Sequence, residues 1–330
     1  MKVTGIAINA DATRLDGDLN SLRSSLDYYR KLGFSHVEIA PHGVGVIYNG
    51  KLFKQRMDEL LDILADYNFQ YTVHGVNPLN LMNQRAWNVE RQAFLSSLEF
   101  AAALGSPIMV YHAGRYIPEE DFLLPEQAKL TPYDLKDMWN LERSLLKEMG
   151  EIAEQLNVTI GVETARSYLD VSPYCYAEYL NDLVKMVEEV NHSRVGITLD
   201  TGHTYLAANH HGYNLLEGIK LIEPYIKHIH LHDNFGKSSA SYERKMHEMA
   251  AMGRGDMHMP IGWGTVPAMD ILACLPNYVG IITLELRSRY YNYAGEALQN
   301  AYALLKVVDL WCQEVDKQQA GKQRKFNREI

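Results

Sequence analysis

Nine residues of this chain, His74, His112, Glu163, Asp200, His203, His230, Asp256, His258 and Glu285, are imidazoles and carboxylates placed at or near the ends of apolar, β-branched segments. Side chains of these two kinds suit zinc, manganese or iron(II). His74 follows QYTV, His112 follows PIMVY, Glu163 ends VTIGVE and Asp200 ends VGITLD, with His203 three residues later. His230 lies in IKHIHLHD, Glu285 in VGIITLEL, and Asp256 and His258 in RGDMHMPIGWG. One histidine on a strand is ordinarily a packing residue. Glu163 and Glu285 differ, because an ionised carboxylate at the end of an otherwise apolar strand is costly to bury without a cation. The recurrence of ligand-type residues at the same end of successive segments is what makes the set a signal.

Such a set needs rigid elements that bring their ends together. Short apolar runs at about 2–9, 36–40, 70–75, 107–113, 158–164, 195–200, 226–233 and 279–286 alternate with amphipathic stretches, the pattern of repeated βα units and a parallel sheet. In SLRSSLDYYRKLG, Leu22, Leu26, Tyr29 and Leu32 recur at helical spacing and Gly33 stops the run. Gly105 does the same for NVERQAFLSSLEFAAALG, and LLKEMGEIAEQLN precedes the fifth strand. Eight units and no GxGxxG turn predict an α/β fold of the (β/α)₈ TIM barrel class, a single domain over 1–319. Two connections, about 114–134 and 234–265, exceed what a barrel requires and follow strand C-termini, where lids and specificity loops lie. Residues 320–330 read as a basic, polar, solvated tail.

Composition narrows the function class. With 47% hydrophobic and 22% charged residues the chain can build a core, and a formal net charge of -9 opposes broad attraction to nucleic acid. No apolar run reaches membrane-spanning length and the N-terminal residues lack a signal-peptide pattern, so a cytoplasmic protein is expected. Cys175, Cys274 and Cys312 are widely spaced with no CxxC, and are expected as buried free thiols.

The motifs resemble those of the xylose isomerase-like TIM barrels, and within them the apurinic endonucleases of the endonuclease IV type, over about residues 70–290. HGVNPLNL resembles the family's third-strand histidine with its NL pair, VYHAG its HPG, VETA its ENTAG, LDTGH its DTCH, HIHLHDN its HLND, DMHMPIGWG its DRHxxxGEG and LEL its LET. The resemblance implies that His74, His112 and Glu163 hold one divalent ion. Glu163, Asp200, His230 and Glu285 would hold a second, with Glu163 bridging, and His203, Asp256 and His258 a third. Two or three zinc, manganese or iron ions per chain are therefore expected. The sequence departs from the endonucleases at Asn77, where they carry an aromatic that probes the DNA stack, and at Trp263, which replaces the carboxylate of GEG.

Those departures and the two long loops point to a small sugar-phosphate-like substrate rather than duplex DNA. Asn77, Arg115, Arg166, Asp233, Trp263 and Arg287 are its candidate contacts, Asp233 and His232 being equally placed to orient ligands. Arg289 is a weaker candidate, and His210 and His211 read as loop surface. Two reactions fit. Multi-metal phosphoester hydrolysis uses every ligand, because paired ions activate water without a separate protein base. Aldose–ketose isomerisation or epimerisation needs one ion, with Glu163 and Glu285 as the catalytic pair that moves the proton.

Overall fold

The computed structural model describes residues 1–123, 130–243 and 245–326. Eight parallel strands close a barrel: β1 Lys2–Ala10, β2 His36–Ile39, β3 Gln70–His74, β4 Ile108–His112, β5 Thr159–Glu163, β6 Val195–Asp200, β7 Ile226–Leu231 and β8 Val279–Leu284. Each neighbours the next, and β8 pairs with β1. All eight lie within two residues of the segments read from the sequence. A two-stranded hairpin, Ile47–Tyr48 with Lys51–Leu52, sits in the connection after β2 and gave no sequence signal, being too short to alternate.

Local chemistry sets the helix limits. Helix Leu19–Leu32 starts at Asp18, whose carboxylate accepts the Asn20 and Ser21 amides, and ends at Gly33, whose φ of 89° only glycine adopts cheaply. Helix Pro132–Gln155 opens with proline in its first turn behind a Thr131–Asp134 capping box, so the long β4 connection ends slightly earlier than expected. Asp200 caps helix Thr201–His211 by accepting the His203 amide. The last helix, Ala294–Phe326, carries on into the tail read as frayed; 327–330, and part of the 114–134 and 234–265 connections, lie outside the described residues.

Alternation along each strand sorts residues into two environments. Val37, Ile39, Val73, Ile160, Val162, Ile197, Leu199 and Ile229 are buried, and each contributes roughly 1.5–3 kcal/mol on burial. The opposite face points into the barrel, where Glu38 of β2 meets His228 of β7, two strands that are not neighbours in the sheet. Parallel register then levels the strand ends: His112 pairs with Glu163, and Asp200 with His230. No helix among the described residues is long and apolar enough to cross a membrane.

Three expectations change. The connection 164–179 after β5 is also long, and it pairs with the β4 loop through an Arg115–Cys175 bridge. Cys175 is buried, but Cys274 and Cys312 are only half-buried. His210 and His211 are not loop surface: they end helix Thr201–His211, and His211 Nε2 lies 2.8 Å from the buried Glu178 carboxylate. Sequence alone offered no partner for that ring, because Glu178 is 33 residues away.

Candidate metal centre

The nine ligand-type residues converge at the C-terminal mouth of the barrel in three groups. His74 Nε2 and His112 Nε2 are 3.2 Å apart, and Glu163 Oε2 is 2.8 Å from His112 and 3.8 Å from His74. In the second group, His230 Nδ1 faces Glu163 Oε1 at 2.8 Å, Glu285 Oε2 at 3.2 Å and Asp200 Oδ2 at 3.9 Å. In the third, Asp256 Oδ2 lies 2.7 Å from His258 Nε2 and 3.1 Å from His203 Nε2. His232 joins this third group, 3.8 Å from Asp256 and 3.0 Å from Asp200, with its ring stacked on His258. Two ligands of one tetrahedral zinc are themselves roughly 3.3 Å apart, given bonds of about 2.0–2.1 Å.

Three features of the groups fit divalent ions. Among the described residues Glu163 Oε2, Glu285 Oε2 and Asp256 Oδ1 are buried and meet no donor at hydrogen-bonding angles, with His112 Nε2 2.8 Å from the first and His230 Nδ1 3.2 Å from the second. Imidazole nitrogens and carboxylate oxygens converging at this spacing are what a cation would join. Next, His74, His203 and His258 each turn Nδ1 to a backbone carbonyl, of Gly75, Thr164 and Glu285. An N–H donated there leaves the Nε2 lone pair facing the group. Finally, His258 has a φ of 46°, a left-handed conformation costly for a side chain of its size and held by the paired amides of Asp233 and Met259.

The field of the site draws positive charge. Burial works against charge on His74, yet Glu163, Glu285 and Glu38 hold it up at about 9. Burial likewise opposes a charged His203, which Asp200, Asp256 and Glu163 push up to about 10. His112 and His258 go the other way, burial keeping both below the ordinary histidine value. Burial raises Glu163, but His112 and His230 outweigh it and hold the carboxyl well below its usual range. Arg166 and Arg287 also reach toward Asp256 Oδ2, at 3.5 and 3.8 Å, so the third group shares its carboxylate with two guanidinium ions.

A cavity of about 300 Å³ opens over the groups, at the lower end of small-molecule sites. Of the expected substrate contacts, Asn77, Arg166 and Arg287 line it. Three others are placed differently. Arg115 is buried and lines a smaller adjoining cavity beside His112, Glu163 and His203, while its guanidinium binds the Pro78 and Leu79 carbonyls and Glu119, joining the β3 and β4 loops. Asp233 is outside the cavity lining, its carboxylate accepting the amides of Asn234, Gly262, Gly264 and Val266. Trp263 turns away to Glu296 and packs on Tyr290 and Tyr293. Arg289 likewise leaves the site, binding the Met246 carbonyl. Position at a strand end does not fix direction, since successive side chains alternate.

Two functional candidates escaped the sequence reading. His42, just beyond β2, lines the cavity with an unpartnered Nδ1, and burial together with His74 and His112 brings it down to about 4. Glu38 lies within β2, a carboxylate in the apolar run HVEIA. The argument applied to Glu163 and Glu285 would have found it.

Residues 26–307 match the family model of the xylose isomerase-like TIM barrel. The chain belongs to this family. It is 27% identical over 274 residues to the uncharacterized protein MJ1311 of Methanocaldococcus jannaschii, covering 80% of this chain and 79% of that one. Among solved structures it superposes on a D-tagatose 3-epimerase-like protein with a TM-score of 0.69 at 21% identity, covering 93% of this chain and 98% of that one. An IolI protein with a bound zinc atom gives 0.60 at 18% identity, over 92% and 98%. Both structural likenesses concern the fold.

Proposed function

We propose that this family member is a cytoplasmic enzyme that hydrolyses a small sugar-phosphate-like phosphoester with two or three bound divalent ions. The observation that carries the reading is Glu163, whose two oxygens face imidazoles of two different ligand groups at 2.8 Å each, so that one carboxylate is available to both. His74 and His112 complete one site, Asp200, His230 and Glu285 the second, and His203, His232, Asp256 and His258 supply a third. Ions bound there would supply Lewis acidity and an activated water near neutral pH. The chain's own part is to bind and exclude. Arg166 and Arg287 at the cavity wall meet an anionic group, Asn77 offers an amide to a hydroxyl, and the loops around the mouth keep bulk water from the reacting atoms. A cavity of this volume and a net charge of -9 oppose a DNA duplex as substrate.

A single-ion epimerase or isomerase is the second reading. Its support is that Glu163 and Glu285 both flank His230 Nδ1, so two carboxylates are available to remove and return a proton. The epimerase-like and zinc-bound structural neighbours agree with it at the level of fold. Elemental analysis of the purified chain, run beside a panel of phosphoesters, ketoses and abasic duplex, tests both. Two or more ions with phosphate release supports hydrolysis. One ion with ketose interconversion replaces it by the epimerase, and salt-sensitive nicking of the duplex overturns the small-substrate assignment.

A further inference from the structure

Beneath the ligand groups lies a second polar layer that the proposed chemistry does not use. Glu38 is 2% exposed and sits inside the barrel among residues from three other strands. It accepts the hydroxyls of Thr72 at 3.0 Å and Thr283 at 3.2 Å, and His228 Nε2 is 3.2 Å away. His230 Nε2 lies 3.1 Å from its other oxygen. Glu38, His228 and His230 have the spacing of a metal site in their own right. Their hydrogen bonding argues otherwise. None of the three contributes an unpartnered buried atom, whereas the layer above holds orphaned oxygens on Glu163, Glu285 and Asp256. The lower layer is a closed hydrogen-bond network, and the upper one is open.

The two layers meet at His230. Its Nε2 belongs to the network and its Nδ1 faces Glu163, Asp200 and Glu285. The other ligand histidines are held in the reverse sense, His74, His203 and His258 each giving Nδ1 to a backbone carbonyl. An ionised carboxylate accepts but cannot donate, so the ring carries a proton on Nε2 toward Glu38, and without an ion it carries one on Nδ1 as well, 2.8 Å from Glu163 Oε1; an ion at the second site takes the place of the Nδ1 proton only.

We infer that Glu38 is a positioning residue for the second ion site: by holding the Nε2 proton of His230 it fixes the ring orientation that turns Nδ1 toward Glu163, Asp200 and Glu285, and with an ion bound it leaves Nδ1 as the nitrogen that meets the ion. Thr72, Thr283 and His228 in turn fix Glu38, so the network transmits the rigidity of β2, β3, β7 and β8 to one ligand atom. An anionic partner also makes that nitrogen a better donor to a cation, as carboxylate–histidine pairs do behind bound metals. The inference rests on the metal reading, and it predicts a ring state of the zinc-loaded chain that is observed independently of turnover.

The test uses the full chain, freed of metal and titrated with zinc or manganese. Two-bond proton–nitrogen correlation of the histidine rings, with His230 assigned by its loss in His230→Asn, should give the Nε2–H form in the zinc-loaded wild-type protein. Glu38→Gln should lose that preference. Its affinity for one ion per chain should fall by about 10–100-fold, the usual cost of removing such a partner, while the His74–His112 group retains its ion. Unchanged affinity and tautomer in Glu38→Gln overturn the inference. So does a zinc-loaded wild-type His230 whose Nε2 carries no proton, a result available even if the variant does not fold. A wild-type chain that binds no ion refutes the metal reading itself, an outcome distinct from unchanged affinity in Glu38→Gln.

Discussion

Glu163→Gln is the substitution that presses the site hardest. The side chain is 1% exposed, and its two oxygens face different ligand groups at 2.8 Å each. Glutamine keeps the shape and removes the charge. Two unit charges about 4 Å apart at an effective dielectric near 20 interact by about 4 kcal/mol, and desolvation offsets part of this. Removing one partner of a buried pair costs about 3–5 kcal/mol. Taking about 3 kcal/mol, each of the two ions that share Glu163 loses roughly 100-fold in affinity. His74→Gln touches one group only and should weaken one ion. Competition against a chromophoric chelator, with elemental analysis after dialysis, measures both variants. Glu163→Gln should lose two ions and nearly all turnover, and His74→Gln one ion. A Glu163→Gln protein that keeps two tight ions, or a His74→Gln protein that loses both, would refute the bridging geometry.

Two further perturbations follow from groups outside the ion sites. Glu142 is fully buried, and although the Gly114 amide and the Tyr176 and Tyr111 hydroxyls favour its anion, burial pushes it up from 4.5 to about 7. The folded chain therefore holds a proton that the unfolded chain releases, and the stability this gives is full below about pH 4.5 and lost as pH rises through about 7. The loss is about 3 kcal/mol at most, at 1.36 kcal/mol per unit; denaturant unfolding across that window should show it in the wild type and a flatter profile in Glu142→Gln. Asp233→Ala strands the amides of Gly262, Gly264 and Val266, each costing about 1–3 kcal/mol when unpaired. Hydrogen exchange should speed up over 256–266 with the barrel strands protected as before, and unchanged exchange there would mean that the carboxylate does not hold the loop.

Strand positions and the closed parallel barrel were legible in the sequence, because burial on both faces writes a strand as an apolar run, and the candidate ligands at strand ends stood out as polar interruptions of those runs, while His203, Asp256 and His258 were joined to them through the family resemblance. Capping wrote a helix limit in the same way at Gly33. What the sequence left open was direction and company. Arg115, Asp233 and Trp263 stand where substrate contacts were expected, yet the fold turns the first two onto backbone groups and the third onto Glu296. Glu38 and His228, 190 residues apart, form one hydrogen-bonded pair only because the barrel closes and brings β2 opposite β7. Local patterns are set by neighbours a few residues away and survive in the sequence. The partner of a buried charge is set by closure of the sheet, which no local pattern records.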